Sequence, residues 1–339
     1  MRPSACGLKR SCSANHNNSL DEVSLMAAGL SSPAAPAEPA PPTLMLGPGK
    51  RYWKDRIVKF GLAIAAYSSV AVTTGIVLTL LVESLAFFRE VSLWEFLTDT
   101  TWTPSFEPAH HGILPLVAGT IVTTGVALAV ALPVGTMTAI YLSEYAPFTL
   151  REMIKPVLEL LSAVPTVVYG YFALLFVTPL LKRFMELETF SMLSAGIVMG
   201  IMIIPYVSSL SEDAMRAVPM LLREGAYALG ANKMITAIRV VYPAALSGIG
   251  AAYILGISRA IGETMIVAIA AGMKPELTWN PANQAATITA YIVQVSKGEL
   301  PRDAPGYRAI FAAGLTLFLM TLGFNIVGHV LRKRFREAY

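Results

Sequence analysis

Six apolar runs, each of twenty residues or more, constrain this chain most: 61–82, 113–142, 157–181, 190–210, 244–272 and 309–331. About 20 apolar residues wound as a helix cross the hydrocarbon core of a bilayer. Only 14% of the 339 residues are charged, 55% are hydrophobic, and the mean hydropathy is +0.58. That composition belongs to polytopic membrane proteins. The expected fold class is an all-α polytopic membrane protein with six transmembrane helices. Pro115, Pro133, Pro165, Pro179 and Pro205 lie inside the runs. They predict kinked helices whose freed carbonyls are satisfied by neighbours, in a protein packed around a pathway.

Basic residues set the orientation. Eighteen Lys and Arg fall before the first run, in the second and fourth connections and after the last run, against seven in the other connections. The positive-inside rule then places both termini and the fourth connection in the cytoplasm. Because the positive charge gathers at span edges, the net charge of +4 does not point to nucleic acid. Residues 1–56 read as a disordered cytoplasmic tail, proline-rich over 31–42 and without the apolar core of a signal peptide. Cys6 and Cys12 in this tail are read as incidental. Gly47-Pro48-Gly49-Lys50 imitates the end of a phosphate-binding loop, but Leu44 stands at the first glycine position and Arg51 at the Ser/Thr position. The chain is therefore expected to carry no ATPase of its own. Residues 57–112 comprise the first helix and an outer connection. Residues 113–335 form the membrane core, with a coupling loop at 219–243.

Several outer features carry expectations. Trp94, Trp102 and Phe106 are expected at the headgroup level. His110 and His111 lack a third ligand nearby and read as solvated loop rather than a metal site. The apolar stretch 285–293 is too short to span and is expected to lie as a helix at the outer surface, where a docking partner lands.

Inside the fifth run sit Arg259 and Glu263, four residues apart and so expected on one helix face as a pair. An intramembrane arginine must face protein or water, and such residues are functional candidates by default. The pair is read as lining a transport pathway or gate, with a helix clamp as the alternative. Gly248, Ala252 and Gly256 form a small-residue stripe for close helix packing. Glu212, Asp213 and Arg216 end the fourth run and are expected to support the coupling loop. Glu159 is expected to snorkel or to pair with Lys155. Asn325 and His329 are expected in interhelical hydrogen bonds. No motif for hydrolysis, redox chemistry, metal or cofactor binding is present in the sequence.

The fourth connection contains Glu224-Gly225-Ala226-Tyr227-Ala228-Leu229-Gly230 and, nine residues on, Val240-Val241-Tyr242-Pro243. This spacing, between membrane spans, resembles the EAA loop of bacterial binding-protein-dependent ABC-importer permeases. That resemblance implies a coupling helix docking on a separate ATPase, with Glu224, Gly225, Ala226, Gly230 and Pro243 as its residues. Gly225 stands where the family usually has Ala. Further segments resemble the phosphate-permease (PstC) family of these transporters. They are Ser258-Arg259-Ala260-Ile261-Gly262-Glu263-Thr264-Met265, Thr101-Trp102-Thr103-Pro104-Ser105-Phe106, Tyr141-Leu142-Ser143-Glu144-Tyr145 and Ile204-Pro205-Tyr206. The resemblance runs over about 57–335. It implies a type I ABC-importer permease fold in a bacterial inner membrane and a non-catalytic subunit of an ATP-driven phosphate importer. The implied partners are the sister permease PstA, the ATPase PstB, the periplasmic phosphate-binding protein PstS and membrane lipid. Permeases for molybdate or sulfate are the nearest alternative. An ion-driven secondary transporter would show more buried ionisable residues and an inverted repeat.

Overall fold

The computed structural model describes residues 50–104, 108–299 and 305–334. Cys6, Cys12, the 31–42 stretch, Gly47, Gly49 and Phe106 lie outside the described residues. Contacts divide the chain into units 1–68 and 69–339. In the first, the described part is the start of helix α1 (Lys50–Glu90), exposed from Asp55 to Ser68 except at Ala63.

In the second unit α1 runs on to Glu90 and is followed by α2 (Leu93–Thr98), β1 (Trp102–Thr103) and β2 (His110–His111). Then come α3 (Leu114–Tyr145), α4 (Phe148–Ala163), α5 (Thr166–Leu181), α6 (Met192–Arg216), α7 (Met220–Ala228) and α8 (Lys233–Ala244). The chain continues through α9 (Leu246–Ile261), α10 (Met265–Ala270), α11 (Ile288–Gln294) and α12 (Pro305–Arg334). Among the described residues four helices are long and apolar enough to cross a membrane: Asp55–Glu90, α3, α6 and Gly306–Lys333. Two more candidates are broken, α4 with α5 at 87° and α8 with α9 at 73°. The six expected spans are thus four continuous helices and up to two bent ones.

Each irregularity has a local cause. Val164 precedes Pro165, which disfavours the helical conformation, and its ψ of 130° ends α4. Wide π turns at Tyr141–Tyr145, Ala173–Val177 and Ala237–Val241 each come two residues before a proline, Pro147, Pro179 and Pro243. At Pro179 and Pro243, which continue their helices, proline has no N–H to donate and crowds the preceding turn, and widening the turn relieves both. The fifth apolar run does not make one helix to 272 as expected. It stops at Ile261, and Glu263 Oε1 then accepts from the backbone N–H of Met265 at 3.1 Å and of Ile266 at 3.4 Å. A side chain that takes the first donors of a new helix starts α10 there.

The core of the unit is the packing of α3 on α6, which glycines make close. A Cβ on Gly196 would lie 2.7 Å from Val126 Cβ, and one on Gly200 2.8 Å from the Ala127 carbonyl oxygen. Gly248 and Gly256 of the α9 stripe likewise face Ala214, Val207 and Ile203, so the stripe packs against α6 of the same chain.

Around Trp102, β1 and β2 pair antiparallel with Trp102 opposite His111. Trp102 is only 1% exposed and meets Phe96, His111 and Tyr291 edge-on, so it is core, whereas Trp94 is exposed. The 285–293 stretch is also interior. Ala285, Ala286, Ile288 and Tyr291 are buried, and Ile288 N–H donates to Thr120 Oγ1 of α3. It does not lie on the surface, because both its apolar face and its polar backbone find partners inside. His110 is exposed and pairs with Asp99 at 3.1 Å, while His111 is buried beside Phe87, contrary to a wholly solvated loop. Among the described residues no cluster suits a metal ion.

Burial pushes the His111 pKa below its ordinary 6.5, despite Glu95 and Asp99 nearby. Burial opposes the Asp99 carboxylate, but hydrogen bonds from Thr101 and His110 outweigh it and hold its pKa below 3.8. Both shifts have one sign: the unfolded chain binds protons more readily, so stability falls on acidification, first through His111 and at lower pH through Asp99. Lowering the pH from about 7.5 to about 5.5 should lower the melting temperature, and His111→Phe should flatten that response. Gly200→Val should cost about 1–3 kcal/mol, read as a lower melting temperature in detergent. Gly225→Ala, with open space at its Cβ, should lower it not at all.

Candidate coupling face and pathway residues

The end of α6 is built around a buried carboxylate. Glu212 is fully buried, with Lys155 Nζ at 3.0 Å, Arg151 Nε at 3.6 Å and Arg216 Nη1 at 3.6 Å. Neither Oε atom accepts a well-angled hydrogen bond, so charge attraction holds the cluster. Lys155 also reaches Asp213 Oδ1 at 2.8 Å, which takes it away from Glu159. Glu159 instead lines a cavity of about 280 Å³ with Ser162, Tyr206 and Ser209. The sequence-identified trio Glu212, Asp213 and Arg216 is therefore brought together, and Arg151 and Lys155 of α4 complete it.

Helix α7 leaves this end through Pro219. Its anchor is Arg223, which the sequence reading passed over. Arg223 is buried and donates from Nη1 to the Val218 carbonyl at 2.7 Å, and from Nη2 to the Met215 carbonyl at 2.8 Å and Glu144 Oε1 at 3.0 Å. One guanidinium thus ties α7 to the last turn of α6 at Met215, to Val218 in the link that follows, and to the end of α3. Arg151 Nε adds a bond to the Leu142 carbonyl at 3.0 Å. Glu144 lies in the conspicuous Tyr141–Tyr145 segment, but it is 79 residues from Arg223 in sequence, and no local pattern links the two.

Beyond this anchor α7 is a projecting element. Ala226 is buried, while Glu224, Gly225 and Tyr227 are exposed, as are Met220, Leu221 and Leu229, the last at 91%. Gly230 has φ of +84°, and Ala231 N–H donates to the Ala226 carbonyl at 3.0 Å, closing the helix as a glycine C-terminal cap does. A Cβ at Gly225 meets nothing within 4 Å, so glycine here replaces the usual alanine without a packing role. Pro243 sits exposed in α8, just before the bend into α9.

Arg259 and Glu263 do not form the expected pair. Arg259 belongs to the last turn of α9, but Glu263 lies past the break at Gly262, so a four-residue spacing no longer puts them on one face. Arg259 stacks over the Tyr206 ring, 4.4 Å from its centroid, with Nε buried and without a hydrogen-bond partner. Among the described residues no carboxylate lies within ion-pair distance of it. Glu263 caps α10, and its carbonyl accepts from Thr289 Oγ1 at 2.8 Å. Asn325 accepts from Ser258 Oγ at 2.9 Å across α9 and α12, the expected interhelical bond. His329 instead meets Arg332 on its own helix.

Long apolar helices, two bent candidate spans and a helix projecting from the end of α6 define an integral membrane protein. Residues 131–337 match the family described as binding-protein-dependent transport system inner membrane component, and the chain belongs to that family. It is a multi-pass inner-membrane component. A probable ABC transporter permease protein, YqgH of Bacillus subtilis, is 34% identical over 268 residues, covering 78% of this chain and 86% of its own. The phosphate transport system permease protein PstC of Pasteurella multocida is 33% identical, covering 67% and 76%; that of Haemophilus influenzae is 28% identical, covering 87% and 99%. Among solved structures, a chain of a bacterial ABC transporter involved in the import of the acidic polysaccharide alginate matches with a TM-score of 0.59 at 14% identity, covering 85% of this chain and 100% of that one. The MetNI methionine ABC transporter matches with 0.51 at 16%, covering 67% and 95%. These likenesses show the fold, that of type I ABC-importer permeases.

Removing the anchor cation leaves a buried Glu144 carboxylate uncompensated, a loss of about 3–5 kcal/mol for such pairs. Arg223→Gln should therefore lower thermal stability sharply. Adding Glu144→Gln should recover part of it, and the non-additivity of a double-mutant cycle measures the link.

Proposed function

We propose that this chain is the permease subunit of an ATP-driven phosphate importer, forming half of its membrane pathway. One observation carries the reading: an exposed helix α7, apolar around Glu224, is fastened at its root to the ends of two spans in a chain with relatives named phosphate permeases. Such a helix suits a partner ATPase, PstB, which hydrolyses the ATP, so the chain itself is non-catalytic. The other half of the pathway is a sister permease, PstA. The anion is delivered by the periplasmic binding protein PstS. The distribution of basic residues supports cytoplasmic termini and a cytoplasmic α7. The same reading takes 1–56 as a cytoplasmic tail, 57–112 as the first helix with its outer connection, and 113–335 as the permease core.

In this mechanism Glu224, Gly225, Ala226, Gly230 and Pro243 form the coupling element, and Glu212, Asp213 and Arg216 hold its base. ATP-driven closure of the ATPase moves α7 and, through α8 and its bend, α9. Arg259 and Glu263 act in the pathway or gate in different ways. A guanidinium with an unused donor, stacked on Tyr206 and not neutralised by Glu263, suits transient contact with an oxyanion. Glu263 holds the break from which α10 starts.

Uptake of labelled phosphate at about micromolar concentration, a usual KM range, tests this in cells lacking the gene and complemented with it. Restored uptake that molybdate and sulfate do not reduce supports the reading. Protein in the membrane without uptake removes phosphate as the substrate. Glu224→Lys should reduce uptake at least about tenfold, about 1.4 kcal/mol, at unchanged membrane abundance. Arg259→Gln should do likewise, and normal uptake in that variant would take Arg259 out of the pathway.

A further inference from the structure

Between α9 and α12 lies a groove of about 290 Å³ that neither the coupling element nor the pathway residues use. Gly250, Ile254 and Ile257 form one wall, and Phe324, Val327 and Leu331 the other. Gly250 keeps it open, since nothing lies within 4 Å of a Cβ placed there. Arg332 closes one end and also lines a second cavity of about 580 Å³, which His329, Lys333 and Ser247 share. Arg332 thus joins an apolar slot to a basic, open mouth. Among the described residues no acidic side chain lines either cavity.

We propose that this composite groove is a binding site for an anionic phospholipid, with an acyl chain in the slot and the headgroup phosphate at Arg332 and Lys333. Three observations favour that occupant. The slot is apolar along its length, which suits a hydrocarbon chain and offers nothing to a free inorganic ion. The mouth carries two cations at the end of a long apolar helix, where juxtamembrane basic residues meet the headgroup layer. Leu246, the first residue of α9, lines the slot at the start of the span that follows α7 and α8, so the basic mouth belongs to the coupling end of the fold. On the positive-inside argument that end faces the anionic cytoplasmic leaflet. A protein helix seated in the groove would instead leave the two cations needing acidic partners. The inference does not depend on which solute the transporter carries.

The test uses the transporter complex purified through this chain, in mixed micelles with equal amounts of phosphatidylglycerol and phosphatidylcholine, with retained lipid counted by native mass spectrometry. Phosphatidylglycerol should be retained in clear excess, and excess inorganic phosphate should not displace it. Arg332→Gln and Lys333→Gln should each reduce the preference about fivefold, the usual effect of one juxtamembrane cation. Gly250→Phe, which fills the slot and leaves the mouth intact, should remove retained lipid of both kinds. Equal retention of the two lipids by the unaltered complex would overturn the proposal. So would an unchanged preference in the double Arg332→Gln, Lys333→Gln variant. A photo-crosslinker at position 250 should capture lipid, and capture of a partner polypeptide there would also overturn it.

Discussion

An unpaired backbone N–H or carbonyl in hydrocarbon costs several kcal/mol, so a membrane chain breaks its helices only where other groups satisfy the freed ends. This chain breaks its bilayer-length runs in three places, and each break is closed by a specific partner. At Val164–Pro165 the Tyr169 hydroxyl donates to the Leu161 carbonyl at 2.7 Å. At Ala245 the backbone closes on itself, with N–H to the Val241 carbonyl and carbonyl to Gly248 and Ile249. At Gly262 the Glu263 carboxylate takes the first donors of α10, and Thr289 takes the Glu263 carbonyl. The last closure explains why 271–295 folds inward. That segment supplies Thr289, and its backbone is paired to the start of α6 and the end of α10: Met192 with Asn283, Leu193 with Pro281, Ala285 with Ala271.

The end of α6 where α7 is rooted solves a different problem, that of holding charge where water is scarce. Glu212 and Arg223 are both buried, yet they are held differently. Glu212 sits among three cations at 3.0–3.6 Å without directed hydrogen bonds. Arg223 has two carbonyls and a carboxylate in good geometry. A cluster held by attraction alone tolerates small relative shifts of α4 and α6. A guanidinium with three directed partners does not, and it carries α7 as a rigid extension of α6 and α3.

Much of this was legible in the sequence, because it rests on periods and spacings. The apolar runs announced the spans. The small residues of α9 announced a close helix contact, and the Glu224–Pro243 spacing marked a projecting element. What escaped was whatever depends on which partner a particular group finds. Arg223 reads as an ordinary loop cation until Glu144, 79 residues earlier, is beside it. Trp102 reads as an interfacial ring because its strand partner His111 is a short-range feature that composition does not reveal. The 244–272 run reads as one helix because its hydrophobicity continues across Gly262. Only the carboxylate's choice of the Met265 and Ile266 donors ends it.

That break also decides what the two intramembrane charges can do. Had α9 continued, Arg259 and Glu263 would neutralise each other, and an arginine so paired has little left to offer an anion. With the helix ended at Ile261, each charge belongs to a different helical segment. Arg259 belongs to α9, which continues from α8 through the 73° bend. Glu263 is fastened to α10, which packs against α5, and to Thr289 of the inward-folded segment. On the proposed function, a displacement entering through α7 moves Arg259 relative to Glu263. That turns a fixed local arrangement into a position-dependent one: the guanidinium, stacked on Tyr206 and, among the described residues, with no carboxylate in ion-pair distance, keeps its charge for a passing oxyanion. Separation of the two charges by one glycine-capped break thus supplies what a continuous helix would have cancelled.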